Sequence, residues 1–217
     1  MKSKPKKKSP SALYRVIDGK PRKGESRKAK ITEAVIECLA RRGLEETTFD
    51  AIGKMVKMER AHVNYYFANR KELIKAAVRY AVGRGQEIII GHVKKAQTWR
   101  DRVTVVIEGP FEWLETYPDH ATVMVLFYYL CTYDEELRQL QSLIRVGGEE
   151  RLSSCLQSLV EGGKLTSAKA TSLARGIQTT MTGALILNFS CTYPLTLRQL
   201  RDKVVRESLA QVESCLE

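Results

Sequence analysis

The sequence lacks any uninterrupted apolar run near the ~18 residues that a membrane-spanning helix requires. Residues 1–8 are Lys, Ser and Pro after the first Met, with no apolar stretch behind them, so we expect no secretory signal. There is no Cys-x-x-Cys pair either, and the five cysteines are widely spaced: Cys38, Cys131, Cys155, Cys191 and Cys215. These absences exclude a disulfide framework and favour a protein of the reducing cytoplasm, with no membrane partner.

Catalytic and metal-binding patterns are also missing. The three histidines, His62, His92 and His120, are 30 and 28 residues apart, so no local pair of metal ligands exists. The glycines at 83–85 and 162–163 are better explained as helix breaks than as a phosphate-binding loop. We therefore predict no enzyme activity, no catalytic residue, no metal and no cofactor.

Aromatic residues are scarce, at 7% of the chain, whereas hydrophobic residues as a whole make up 43%. The 217 residues suffice for one or two domains with a largely aliphatic core.

Acidic residues are scarce at the N-terminal end. Residues 1–30 hold 12 basic and 2 acidic side chains and so carry +10 of the net charge of +11. A basic segment of this kind attracts polyanions such as nucleic acid or an anionic membrane surface. The alternative is a solvated tail that only keeps the protein soluble. Because it is rich in Lys, Pro, Gly and Ser, we expect residues 1–26 to be mostly disordered.

Four helices are predicted after this arm. Apolar residues from Ile31 to Leu39 recur at helical spacing and Gly43 ends the run, while Thr48 can cap a short second helix. The connection 57–59 leads into a third helix, 60–67. Asn69, with Glu three residues on, begins a fourth, which the glycines at 83–85 loosen.

The remaining sequence is also predicted to be helical, without a hairpin signal or a solenoid repeat. The expected segments are 86–96, 99–117, 119–132, 134–161, 167–189 and 197–216. The fold class is therefore all-α, with an N-terminal three-helix helix-turn-helix DNA-binding domain and a larger C-terminal helical domain for ligand binding and dimerisation.

The second and third helices form a helix-turn-helix pattern. Val63 and Phe67 lie on the inner side of the third helix, which leaves a polar outer side: Arg60, Ala61, His62, Asn64 and Tyr65. An arginine can donate twice to guanine, an asparagine can pair with adenine, and an alanine can touch a thymine methyl group. The alternative is that any short helix pair in an all-helical protein has a polar side.

The stretches ITEAVIECLARRGLEETTFDAIGKMV (31–56) and MERAHVNYYFANRKEL (58–73) resemble the DNA-binding region of the TetR family of bacterial repressors. The family's signature positions are matched by Gly43, Thr47, Thr48, Ile52, Val63, the aromatic trio 65–67 and residues 69–73.

The resemblance implies a role for each matching residue. Thr48 would touch a phosphate, and residues 60–62 would face bases. Tyr65 and Tyr66 would contact the sugar-phosphate backbone, and Arg70 would hold a phosphate at the start of the fourth helix.

Three positions depart from the family pattern. Lys57 replaces the usual turn glycine, so it must adopt an unfavourable backbone geometry or a different turn, and it can in return donate to a phosphate. Glu59 replaces the usual Ser cap, and Tyr66 stands where His is more common. These changes affect the expected operator sequence rather than the fold.

The C-terminal region is expected to bind a second copy of the chain and a ligand. Apolar stripes in its last two helices would form a four-helix dimer interface, as the resemblance implies, or would only close the protomer's own core. The stripe of the first of these helices is Leu173, Ile177, Met181, Ala184 and Leu185, and that of the second is Leu200, Val204, Leu209 and Val212. The small residues Gly176, Thr180 and Gly183 would allow another helix to approach closely.

Aromatic residues of the middle helices are candidates for a ligand cavity, with ordinary core packing as the alternative. They are Phe111, Trp113, Tyr117, Phe127, Tyr128 and Tyr129, with Tyr133 nearby. Glu112, Glu115 and His120 are candidate polar contacts. The resemblance implies that an unidentified effector in this cavity shifts the fourth helix and so changes the affinity for DNA.

Taken together, we predict a basic arm (1–26), a helix-turn-helix domain (27–75) and an effector-binding and dimerisation domain (76–217). The expected function is that of a homodimeric repressor that binds double-stranded DNA at a palindromic operator, and residues 22–24 of the arm can enter a minor groove. The alternative is a ligand-binding or scaffolding helical dimer without specific DNA function.

Overall fold

The computed structural model describes residues 23–216, and in this range the chain forms helices and no strand, as the all-α fold class predicts. The elements are α1 (Lys23–Glu46), α2 (Phe49–Val56), α3 (Arg60–Tyr66), α4 (Arg70–Val93), α5 (Trp99–Thr116), α6 (Pro118–Leu130), α7 (Glu135–Cys155), α8 (Gln157–Glu161), α9 (Ser167–Ser190) and α10 (Leu197–Glu213). Among these described residues, none of the helices is both long enough and apolar enough to span a membrane.

Helix α1 begins at Lys23, earlier than the start at Ile31 that the apolar pattern indicates. Residues 23–26 of the predicted arm are therefore helical, and the predictions for residues 1–22 lie outside the described residues. The expected stop at Gly43 is visible as a non-helical backbone (φ 80°, ψ −176°). The Thr47 hydroxyl donates to the Gly43 carbonyl oxygen over 2.8 Å and fixes this bend.

Helix α4 is a single helix of 24 residues, so the predicted break at residues 83–85 is wrong. An interior glycine costs a helix only about 1 kcal/mol, which tertiary packing offsets. Gly85 lies so close to the Trp113 ring of α5 that an added Cβ would come within 2.9 Å of it. In the same way, a Cβ on Gly109 of α5 would come within 2.4 Å of the Ile89 side chain. The glycines allow α4 and α5 to pack closely.

The predicted helix 134–161 is divided at Leu156 into α7 and α8, and α5 continues through Pro110. The other predicted segments agree with α5, α6, α9 and α10 to within a few residues.

One hydrophobic core joins the N-terminal helices to the beginning of the C-terminal region. Buried residues of α1 to α4, such as Val35, Ile52 and Leu73, form one cluster with residues of α5, α6 and the first turns of α7, such as Trp113 and Phe127. Helix α6 therefore packs in the same core as the helices of the helix-turn-helix.

A second core lies within α5 and α7 to α10 and contains most of the apolar stripes predicted for the dimer interface. The following are at most 8% exposed in the single chain: Leu173, Ile177, Met181, Ala184, Leu200, Val204 and Val212. Leu185 and Leu209 pack against this core while remaining partly exposed. The prediction that these stripes face a second copy is wrong for the buried members, because α9 and α10 use them to close the protomer.

Candidate DNA-binding surface and ligand cavity

The turn between α2 and α3 is set by Lys57, whose backbone is left-handed (φ 56°, ψ 48°). Its amide donates to the Lys54 carbonyl (3.3 Å), and the Met58 amide donates to the Gly53 carbonyl (2.8 Å). This pair of hydrogen bonds is the Schellman motif, in which glycine normally occupies the left-handed position. The prediction of an unfavourable geometry at Lys57 is confirmed, and the Lys57 side chain is exposed.

Gly53 is a second requirement of this turn that sequence reasoning did not identify. A Cβ on Gly53 would lie 2.6 Å from the Met58 carbonyl oxygen, which is backbone and cannot turn aside. The available signal was a glycine inside a very short helix, four residues before the turn.

Helix α3 buries one side and exposes the other, as predicted. Val63 is fully buried and Phe67 is 3% exposed. The predicted outer residues are all exposed: Arg60, Ala61, His62, Asn64 and Tyr65. The Tyr65 side chain is 83% exposed and meets the half-buried Tyr66 edge-on, with 5.2 Å between ring centroids. A helix face of this composition is free to enter a DNA groove.

The helix caps follow the sequence signals. The Thr48 hydroxyl accepts a hydrogen bond from the Ala51 amide (3.2 Å), and the Asn69 side chain accepts one from the Glu72 amide (3.0 Å). Glu59 makes no side-chain cap bond at the start of α3, which fits its poor capping ability.

Arg60 is paired with Asp50 of α2, at 3.0 Å between Nη1 and Oδ2. Both side chains are more than half exposed, so the pair contributes little to stability. The bond leaves the other guanidinium nitrogens of Arg60 available, but a base that recruits Nη1 must displace Asp50. Nothing in the spacing of the sequence indicates this pairing of Arg60 with Asp50.

Arg70 lies at the start of α4, where a phosphate contact is predicted, but only part of its guanidinium group is accessible. Its Nε and Nη2 atoms are buried and have no hydrogen-bond partner among the described residues. Leaving charged donors unpaired is costly, so these two nitrogens are available to a hydrogen-bond acceptor that the described residues do not supply.

A groove between the start of α1 and α3 gathers several predicted DNA-binding residues. Its lining consists of Arg27, Lys57, Met58, Glu59, His62, Tyr65 and Tyr66. Arg27 was missed because it lies beside the predicted arm, where nothing in the spacing connects it to the turn. Its exposed guanidinium adds a second positive charge next to Lys57.

Two ion pairs connect α4 to the start of α7. Lys71 Nζ lies 2.7 Å from Asp134, and Lys75 Nζ lies 2.6 Å from Glu136 and 3.0 Å from Glu72. The hydrogen bond from Lys71 lowers the pKa of the Asp134 carboxyl. These contacts hold the N-terminal end of α4 against the start of α7.

The C-terminal region contains a partly open cavity of about 120 Å³ between α4, α5, α6, α7 and α9. Its apolar wall includes Val82, Ile89, Trp113, Met124, Ile144, Met181, Leu185 and Phe189. The polar side chains that line it are Gln86, Tyr128, Arg151, Gln178 and Thr182.

Of the six aromatic residues predicted for this cavity, only Trp113 and Tyr128 line it. The structure places the other four outside the lining: Phe111 on α5, Phe127 and Tyr129 on α6, and Tyr117 between these two helices. Phe111 and Phe127 are fully packed in the two cores, at 2% and 0% exposure. Tyr117 stacks on the His120 ring at 5.0 Å, and the 60% exposed Tyr129 contacts only Tyr133 among the aromatic rings described, at 5.4 Å.

The predicted polar contacts also lie outside the cavity lining. His120 is 6% exposed, and its Nδ1 accepts a hydrogen bond from Trp113 Nε1 (2.8 Å). Burial, together with the nearby Arg84 charge, lowers the pKa of His120 to about 4, so the ring is neutral at pH 7. Glu112 pairs with His92 at the surface (2.8 Å), and Glu115 is exposed.

No group of three or more potential metal ligands is found in the described part of the chain. The two candidate sites are separate: one is the outer side of α3 and the other is the cavity of the C-terminal region.

Comparison with known proteins agrees with this geometry. Residues 31–77 match the family model described as bacterial regulatory proteins, tetR family. The chain is 24% identical over 114 residues to the HTH-type transcriptional regulator BetI of Rhizobium meliloti, and the match covers 52% of this chain. It covers 56% of BetI, so the matched part spans little more than half of that relative.

Solved structures share the whole fold. A TetR transcription regulator from Haloarcula marismortui superposes with a TM-score of 0.76 at 16% identity, covering 88% of this chain and 99% of the other. The transcriptional regulator FadR from Bacillus subtilis, in complex with stearoyl-CoA, gives a TM-score of 0.71 at 20% identity and covers 84% and 97%. Identities this low show a common fold alone. With the match at residues 31–77, they show that this chain carries a helix-turn-helix similar to that of bacterial regulatory proteins of the tetR family, within a fold that solved transcriptional regulators share.

Proposed function

We propose that this protein is a sequence-specific DNA-binding repressor that acts as a homodimer on a palindromic operator and is controlled by a ligand in its C-terminal cavity. The observation that carries the proposal is the outer side of α3, where five residues with base-reading or phosphate-binding chemistry are all exposed.

The roles of these residues follow from their chemistry and position. Arg60, Ala61 and His62 lie in the first turn of α3, the part of a recognition helix that approaches base edges. Asn64 lies farther along the same outer side and can pair with adenine. Six residues near the start of α3 would bind the sugar-phosphate backbone. They are Thr48, Lys57, Tyr65, Tyr66, Arg70 and Arg27. Backbone contacts of this kind fix register, while base contacts fix sequence.

A second copy is needed because a two-fold operator is read by a two-fold protein. The side of α9 that is not used in the protomer's core presents the exposed Thr180 and Leu187 together with Gly183. A Cβ on Gly183 would meet no atom within 4 Å, so this side of α9 is open and carries little side-chain bulk. We propose this side of α9, with the outer side of α10, as the contact between copies.

Control by a ligand is supported by the course of α4. This helix begins just after α3, shares the first core through Leu73 and Ile74, and lines the cavity with Gln86 and Ile89. A ligand that moves α4 would change the position of the helix-turn-helix.

The test is a gel-shift titration at low salt, with DNA from upstream of the protein's own gene and excess unrelated DNA as competitor. We expect specific binding by the wild type and at least a tenfold loss with Tyr65→Ala. The matched control Tyr65→Phe keeps the ring and separates packing from hydroxyl contacts. Because Tyr65 is 83% exposed, the thermal stability of both variants should be unchanged.

Absence of specific binding by the wild type would contradict the proposal. It would favour the alternative of a ligand-binding or scaffolding dimer, for which the acidic groups beside the recognition helix, Asp50 and Glu59, are the supporting observation.

A further inference from the structure

The polar groups of the cavity are not equally satisfied. On one side Gln178 Nε2 donates a hydrogen bond to the Thr182 hydroxyl (3.2 Å), and hydrogen bonding with Gln141 and Thr182 counters the effect of burial on the pKa of Tyr128. Gln86 differs, because its Oε1 is buried and has no partner among the described residues. An amide oxygen left without a hydrogen bond in such a place costs about 1–3 kcal/mol. A ligand that brings a hydrogen-bond donor to this oxygen would recover that energy.

The charge of the lining restricts the ligand further. The lining contains no Asp or Glu, and it includes the guanidinium-bearing Arg151. Burial raises the pKa of Tyr128, so this phenol stays neutral and provides no negative charge. A cationic ligand would lose its hydration without gaining a counter-charge, which is strongly unfavourable.

The volume of the cavity suits a small molecule, or a small apolar part of a ligand. Its volume of about 120 Å³ is close to that of an engineered apolar cavity of about 150 Å³ that binds benzene. The wall is formed by aliphatic side chains and by the rings of Trp113 and Phe189. These features suit one ring or a chain of similar volume.

We infer that the cavity binds a largely apolar molecule of about single-ring size that carries no positive charge and donates a hydrogen bond to the Gln86 side-chain oxygen. The role of this cavity as an effector site rests on the proposed control of DNA binding by a ligand. The chemistry of the ligand does not depend on that control, because it follows from the cavity itself. Since Gln86 is part of α4, the bond would attach the ligand to the helix that follows the recognition helix.

The experiment uses three probes of similar size and measures their affinity for the full-length protein by calorimetry, without DNA. Phenol carries a neutral donor, toluene has no donor, and benzylammonium has a positive charge. We expect binding of phenol and toluene and at least tenfold weaker binding of benzylammonium. In Gln86→Met, which keeps the length of the side chain, the preference for phenol relative to toluene should fall about 3- to 10-fold. The exposed control Gln139→Met should leave it unchanged.

Phenol should also shift the side-chain amide resonances of Gln86 in the wild type, while toluene should shift them less. This measurement needs no variant and so remains valid if Gln86→Met does not fold. Failure of all probes to bind, equal binding of benzylammonium, or an unchanged phenol preference in the variant would overturn the inference. Because DNA is absent from these assays, loss of operator binding in the gel shift would refute the proposed function separately.

Discussion

Replacing Lys57 with glycine should stabilise the protein while weakening its attachment to DNA. Lys57 has φ 56° and ψ 48°, which costs a residue with a Cβ about 1–2 kcal/mol relative to glycine. Part of this gain is lost because glycine increases the entropy of the unfolded chain, by about 0.4–1 kcal/mol. The expected net stabilisation is therefore about 0.5–1 kcal/mol. For a chain of this length that corresponds to a rise in Tm of about 1–4 °C.

The assay is thermal and urea unfolding of Lys57→Gly beside the control Lys54→Gly. Lys54 is also exposed but has a helical backbone inside α2, where glycine should cost about 1 kcal/mol. The two variants remove the same charge and should shift stability in opposite directions. Destabilisation of Lys57→Gly by as much as the control would refute the strain argument. In DNA titrations, the loss of one phosphate contact per protomer should reduce the salt slope by about 1 per protomer.

Three further perturbations have defined outcomes. Gly53→Ala should destabilise the protein by about 1–3 kcal/mol in urea unfolding, because its Cβ meets the Met58 carbonyl at 2.6 Å; an unchanged midpoint would contradict this. Because the pKa of His120 falls from 6.5 unfolded to about 4 folded, the wild type should lose up to about 3 kcal/mol as pH drops through this window. His120→Gln should remove most of that pH dependence. If the unfolding free energy changed with pH equally in the variant and the wild type, this role of His120 would be refuted. Gly183→Glu should give monomers in sedimentation with the helical content of the wild type in circular dichroism, whereas intact dimers would exclude this side of α9.

The helix-turn-helix could be predicted in detail because its signals are local. Apolar spacing predicted the buried Val63 and Phe67, side-chain chemistry predicted the caps at Thr48 and Asn69, and the missing glycine predicted the strained backbone at Lys57. Each of these depends on residues within one or two helical turns.

The cavity could not be predicted in this way because it depends on which faces of five helices meet. The aromatic count selected Phe111 and Phe127, which are buried in the cores, and missed Gln86, whose unpaired oxygen is visible only in three dimensions. The glycine at position 85 suggested a helix break, although its function is to let α4 approach the Trp113 ring. In the same way, spacing alone could not decide whether the stripe on α9 faces a second copy or its own core.

The most direct measurement is dimethyl sulfate protection of DNA that the protein has selected from a random-sequence pool, since this reagent methylates guanine N7 in the major groove. The account predicts protected guanines in two symmetric half-sites whose centres are about one helical turn, or a multiple of it, apart. One guanine in each half-site should lose its protection with Arg60→Ala. A selected sequence without protected major-groove guanines in both half-sites, or protection that does not depend on any exposed residue of α3, would contradict the claim that this helix reads DNA.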